Sequence, residues 1–136
     1  MRPFLFFLFL LLPFLSFAQM EKTLHQSFSL DSVDQVTFDL QEEIVVETWS
    51  GAGILTETKV ELYYASRGLM KHFIEVQERY GIEADGSSGT IRLVNTVPVR
   101  KTVNYKGQQC EEFITTKIYV PEEFELINGS TLKRKN

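Results

Sequence analysis

ILTETKVELYYA, residues 54–65, alternates apolar or β-branched residues with charged ones. Ile54, Thr56, Thr58, Val60, Leu62 and Tyr64 fall on one face, and Glu57, Lys59 and Glu61 on the other. A period of two marks a strand with one buried and one solvated face, and β-branched and aromatic residues suit a pleated surface. Other segments of the chain share this period. In EIVVETW (43–49), Ile44, Val46 and Thr48 oppose Val45, Glu47 and Trp49. Ser50-Gly51-Ala52-Gly53 reads as a turn, because two glycines permit positive φ, so residues 44–65 are expected to form a hairpin. Upstream, VTFDL puts Val36, Phe38 and Leu40 on one face. Downstream, Ile91, Leu93 and Val97 of TIRLVNTV point inward, as do Ile114, Thr116, Ile118 and Val120 of ITTKIYV.

Between Ser66 and Gly81 the period changes. Leu69, Met70, Phe73, Ile74 and Val76 recur at helical spacing and form one apolar stripe. Ser66 can cap the start, and Glu75 and Arg79, four apart, form a stabilising pair on the polar side. The expected helix runs from about Leu69 to Glu78, packed over the sheet. RYGIEAD resumes extended structure, and Gly86-Ser87-Ser88-Gly89 is a second turn. Pro98 interrupts, and VRKTVNYKGQQCEE (99–112) is the most polar section, expected as a long loop or irregular edge hairpin. Pro121 lacks a backbone N–H and is excluded from a central ladder position. Phe124 and Leu126 then resume an inward face, and Asn128-Gly129 is a strong turn signal. STLKRKN (130–136) is polar and basic and is expected to fray.

The other end of the chain is of a different kind. MRPFLFFLFLLLPFLSFAQ carries one charge at Arg2, an apolar run from Phe4 to Leu15 broken by Pro13, and then small residues at Ser16 and Ala18. This is the pattern of a secretory signal, with cleavage expected between Ala18 and Gln19. The run is shorter than the roughly 20 apolar residues of a spanning helix, so no stable membrane insertion is expected once the signal is removed. The expected organisation is a signal peptide (1–18), a single β-rich domain (19–129) and a basic tail (130–136). An exported protein of this kind is periplasmic or extracellular.

The formal charge of −4, without a basic stripe, argues against nucleic acid as a partner. The single cysteine, Cys110, cannot form an internal disulfide, so the fold must rest on its hydrophobic core. That leaves Cys110 as a core thiol, a surface thiol or a dimer cross-link. A metal site needs several convergent ligands, whereas His25, His72 and Cys110 are scattered. Carboxylates cluster at Glu42-Glu43, Glu111-Glu112 and Glu122-Glu123-Glu125. Such pairs serve glycosidases or calcium, yet no calcium loop accompanies them. The reading adopted is that they keep strand ends and edges soluble. Ser87, Ser88 and Ser130 lack an adjacent base, and the glycine-rich turns lack the lysine of a phosphate loop. No catalytic group, cofactor or metal is therefore expected. Trp49, Tyr63 and Tyr119 are the candidates for a contact surface, because exposed Trp and Tyr at strand ends stack on sugars or anchor partners.

The order of these elements is similar to a known family. A signal peptide, strands, a short helix ending in RYGIE, a glycine-rich hairpin and then TKIYVPEEFEL resemble the adhesin domains exported by many Gram-negative bacteria. The resemblance covers roughly residues 30 to 129. It implies a location in the cell envelope or on the surface and a binding or structural role, with a protein or glycan partner, and no defined reaction. In that family the corresponding segment leads into a right-handed β-solenoid. Here FELING (124–129) looks like one rung with no second, a short version without the array, and the strand is expected to close the preceding sheet instead. The expected fold is mainly β: an antiparallel sheet or two-sheet sandwich of about seven strands, with one short helix packed on a face, after the N-terminal signal helix. A second reading makes the protein a small apolar-ligand carrier, with a pocket between helix and sheet beneath Leu69, Phe73 and Ile74.

Overall fold

The period-two segments form strands and the 66–76 stripe forms the helix, in a computed structural model that describes residues 19–136. The expected signal segment, Ala18 included, lies outside the described residues. The strands are β1 (Met20–Phe28), β2 (Gln35–Asp39), β3 (Glu43–Trp49), β4 (Ile54–Tyr63), β5 (Ile82–Ser87), β6 (Thr90–Asn95), β7 (Asn104–Tyr105), β8 (Gln108–Gln109), β9 (Glu111–Pro121), β10 (Phe124–Asn128) and β11 (Thr131–Arg134). Helix α1 (Arg67–Lys71) follows β4 and runs on into a π-helical turn, His72–Val76. The fold is mainly β with one short helix. A four-stranded sheet has the order β1-β4-β9-β3, and a five-stranded sheet the order β10-β11-β2-β6-β5. Both are mixed, since β2 pairs with β6 and β3 with β9 in parallel. The polar section forms an irregular hairpin, β7-β8.

The two sheets face each other like a sandwich. Ile54, Ile118 and Val120 of the four-stranded sheet pack with Val36, Phe38, Ile82, Leu93, Phe124 and Leu132 of the other layer. A second cluster continues along β4 where the opposing sheet ends: Val60 and Leu62 pack under Met70, Phe73, Tyr80 and Cys110. Cys110 is thus a core thiol. Gln26 ties the two layers at their edge, donating from Nε2 to the Ile82 carbonyl and accepting from the Ile82 N–H, both at 2.8 Å.

Several expectations give way to tertiary pairing. Residues 44–65 do not form a hairpin, because β9 lies between β3 and β4 and pairs with both. Two strands that skip a neighbour lie about 10 Å apart, which the four residues 50–53 span easily. Pro121 ends β9 under that crossing, paired with Trp49. Tyr64 is exposed, because its φ of 58° turns the chain out of β4. β10 does not close the preceding sheet: the Pro121–Glu123 corner carries it to the edge of the opposite one. There the register slips between Leu126 and Asn128, and Leu126 is 45% exposed rather than inward.

The helix also ends differently. Ser66 caps it as expected, its Oγ accepting from the Leu69 N–H at 3.0 Å. The Gln77 N–H then donates to the His72 carbonyl and the Arg79 N–H to the Phe73 carbonyl. Glu78, at φ 49°, occupies the left-handed position that usually terminates such an end. The reversal sends Arg79 into the core, so the Glu75–Arg79 pair does not form. Glu75 lies 3.9 Å from Lys71 instead.

The basic tail is the largest revision. Thr131–Arg134 is not frayed but an interior strand, between β10 and β2. Leu132, with Val36 as its partner, is fully buried. The Arg134 guanidinium lies 4.5 Å over the Phe124 ring and donates to the Leu30 and Val33 carbonyls. Leu132→Ala should therefore cost about 2–5 kcal/mol in urea unfolding. Leu126→Ala, at the exposed edge, should cost well under half as much. Equal losses would contradict this placement.

Candidate functional site

Odd-numbered residues of β4 and β9 form the outer face of the four-stranded sheet. Leu55 pairs with Tyr119, Glu57 with Lys117, Lys59 with Thr115, and Glu61 with Phe113. All three aromatic candidates are half-buried on this face. Trp49 and Tyr119 meet at 6.1 Å between ring centroids. The Trp49 Nε1–H donates to the Gly53 carbonyl at 2.9 Å, and a Cβ at Gly51 would come within 2.3 Å of the indole. Trp49 therefore also locks its own turn. The Tyr119 hydroxyl donates to Glu57 at 3.3 Å, and the Lys117 ammonium lies 5.8 Å over the same ring.

Tyr63 does not join this pair. It packs edge-on against Phe113, with centroids 5.6 Å apart. Phe113 and Tyr119 are six residues apart on β9, roughly 20 Å at strand rise. The face thus carries an aromatic pair at each end and charged residues between them. Phe113, 55% exposed, was not singled out from the sequence. Extending the alternation back by one residue from the inward Ile114 places it outside.

The inner side of the same sheet holds two buried ion pairs that sequence reasoning missed. Glu42 and Glu112 were expected as exposed edge charges. Instead the Glu42 carboxylate is 1% exposed and accepts from Arg100 at 3.0 Å, Asn95 at 2.9 Å and Thr116 at 2.9 Å. Thr58 continues the chain to Thr116 at 3.1 Å. Glu112 accepts two bonds from Arg79 Nε at 3.1 Å, a further one from its Nη2, and one from the Tyr80 hydroxyl at 2.9 Å. The pairs are joined, since Arg100 Nε donates to the Arg79 carbonyl at 3.0 Å. Arg79 Nη2 also bonds the Lys101 carbonyl. Together they fasten the 96–110 connection over the sheet. Among the described residues no buried side-chain nitrogen or oxygen lacks a partner.

These surroundings set the protonation states. Burial alone would raise the Glu42 carboxyl, but bonds from Asn95 and the backbone and the charge of Arg100 outweigh it, so its pKa falls below 4.5. Burial, then the Glu112 charge and hydrogen bond, push the Tyr80 phenol up. Burial, then Glu112, also raise the Cys110 thiol, which makes it a poor nucleophile. Among the described residues no group of three His, Cys, Asp or Glu is arranged to hold a metal ion. His25 and His72 are both exposed.

Two clefts flank the helix where it meets β1. One of about 500 Å³ is lined by Met20, Lys22, Arg67, Met70, Lys71 and Ile74 among others. The other, about 290 Å³, opens beyond Ile74 toward Leu24 and Tyr80. Of the residues expected over a pocket only Ile74 lines these clefts; Phe73 is packed in the core and Leu69 packs against the same cluster. Gln19, the residue expected to begin the mature chain, is exposed on the rim of the first cleft. No described helix is long and apolar enough to cross a membrane.

No family model matches the chain, and neither the curated proteins nor the solved structures contain a match.

Because the folded-state pKa of Glu42 lies below 4.5, the stabilisation it brings is complete above that value and is lost as pH falls through the folded pKa. Stability should fall on acidification below about pH 4.5. Glu42→Gln should cost about 3–5 kcal/mol at neutral pH, since it leaves the Arg100 charge buried without its partner. It should also flatten the acid limb. Urea midpoints measured across the acid range check both. Parallel limbs for the two proteins would assign the acid transition to another group.

Proposed function

We propose that this protein is a non-enzymatic, exported domain of the cell envelope or surface. In this reading it binds a protein or glycan partner through the outer face of its four-stranded sheet, in the manner of the adhesin domains it resembles. The observation that carries the reading is the placement of the Trp49–Tyr119 and Tyr63–Phe113 pairs on the outer sheet face, opposite the residues that build both core clusters and beside exposed Val45. Aromatic side chains held at fixed positions anchor partners at small entropic cost. The buried ionisable groups are also engaged with one another: Glu42 with Arg100, and Glu112 with Arg79 and Tyr80. Such groups form a fastening rather than an acid–base pair waiting for substrate. The export half of the proposal rests on the first eighteen residues.

A second reading, a small apolar-ligand carrier, is favoured by one observation. The cleft of about 500 Å³ between helix and β1 has a floor of Met20, Met70 and Ile74. Its volume lies within the range of ligand pockets.

Two measurements test the leading proposal. Fractionation of the expressing cell with N-terminal sequencing should recover a soluble periplasmic or secreted protein beginning at Gln19. A membrane-bound product that retains residues 4–18 would overturn export as a soluble domain. Saturable co-sedimentation with isolated envelope material should weaken about tenfold in Trp49→Phe/Tyr119→Ala and in Phe113→Ala, with both variants still folded by circular dichroism at the assay temperature. Unchanged retention in both variants would remove the outer face as the contact surface.

A further inference from the structure

We infer that the cleft between the helix and β1 binds an amphipathic anion, specifically a free long-chain carboxylate, with the head at Lys22, Arg67 and Lys71 and the chain along Ile74. The inference rests on the carrier reading given above and adds the ligand's charge and shape.

Even-numbered residues of β1 face inward: Met20 pairs with Leu62, Lys22 with Val60 and Leu24 with Thr58. Lys22 therefore stands on the core side of the sheet, between two apolar residues, at an open strand edge. An inward lysine at an edge strand commonly serves to block edge-to-edge pairing. That accounts for Lys22 alone. It does not account for Arg67 and Lys71, which reach the same cleft from the helix.

The charge balance within the cleft is uneven. Of its two carboxylates, Glu21 belongs to the outer face and lies 3.7 Å from Lys59. Glu75 lies 3.9 Å from Lys71. Lys22 and Arg67 form no ion pair among the described residues, although the chain as a whole is acidic. The lining thus holds three cations against two carboxylates, with Lys22 and Arg67 outside any described ion pair, around an apolar floor on which Met70 is 7% exposed. An anionic head on these cations and an apolar chain on Met20, Met70 and Ile74 satisfy both halves of the site.

The second cleft explains the length. It shares Ile74 with the first and runs along Leu24 and Tyr80 on one side, with His25, Gln26, Glu78 and Thr96 on the other. A short anion would use the cations and leave this extension empty. A longer chain crosses Ile74 and lies along its apolar side, Leu24 and the Tyr80 ring.

The test is a fluorescence titration of the protein, as it accumulates in the expressing cell, with cis-parinarate below its micelle concentration. Its methyl ester, the same chain without the charge, is titrated in parallel. The expected result is saturable one-to-one binding of the carboxylate, about tenfold tighter than the ester. Lys22→Gln/Arg67→Gln should lose that tenfold preference and leave ester binding unchanged, and Ile74→Asp should weaken both. Circular dichroism melts confirm that the variants fold, as substitutions at exposed Lys22 and Arg67 should allow. Equal affinity for carboxylate and ester would overturn the anionic class while the carrier reading stands. Absence of saturable binding by either probe would overturn both. Parinarate binding unchanged by all the substitutions would overturn this location. Charge-dependent adsorption to phosphatidylglycerol vesicles without binding of free parinarate would replace the carboxylate with a membrane surface and overturn the proposal.

Discussion

The inner face of β4 and β9 is longer than the layer that covers it. These strands run 10 and 11 residues, whereas β2, β6 and β11 opposite them run 5, 6 and 4. One half of each long strand therefore packs against a sheet, and the other half must find a different cover. The helix, Tyr80 and the 96–110 connection provide it. A sandwich at one end and a helix-roofed sheet at the other share the same two strands. The polar seam, the helix clefts and the buried cysteine all follow from that mismatch.

A connection made largely of polar residues supplies little apolar area, so burial alone holds it weakly. Two Arg–Glu pairs fasten it instead. Their desolvation is offset because each carboxylate accepts several bonds and each guanidinium also reaches a backbone carbonyl. Arg79 and Arg100 further stack over the Phe73 and Tyr80 rings, at 4.9 and 5.6 Å, so their planar faces pack while their edges donate. Lysine could not reproduce this geometry. The same arrangement separates the polar interior from the two surfaces offered for binding. The outer face of the sheet and the helix–β1 groove lie on opposite sides of the long strands, and a ligand on either leaves the fastening intact.

Alternation placed Val36, Phe38, Ile54, Val60, Leu62, Leu93, Ile118 and Val120 inside from the sequence, and all are buried. The Ser66 cap was equally legible, while the irregular hairpin after Pro98 was one of two readings open for that section. These features depend on residues near one another in the chain, where steric preference and local hydrogen bonding decide. Trp49, Tyr63 and Tyr119 shared an outer parity in their strands, although their division into two pairs depended on which strands met. Which strand pairs with which is not local: two period-two runs joined by a glycine-rich link match a hairpin whether or not a third strand slides between them.

What the sequence by itself determined is the class of fold, the buried parity of each long strand and the start of the helix, because periodicity and capping act over a few residues. The tertiary structure alone decided that β9 separates β3 from β4 and that the basic tail becomes an interior strand. It alone buried Glu42 and Glu112. A charge is solvated or buried according to the partner that reaches it, and these partners, Arg100 and Arg79, stand 58 and 33 residues away. No local pattern encodes such a meeting. It arises when two layers of unequal length close on each other and the uncovered strand ends require a polar fastening.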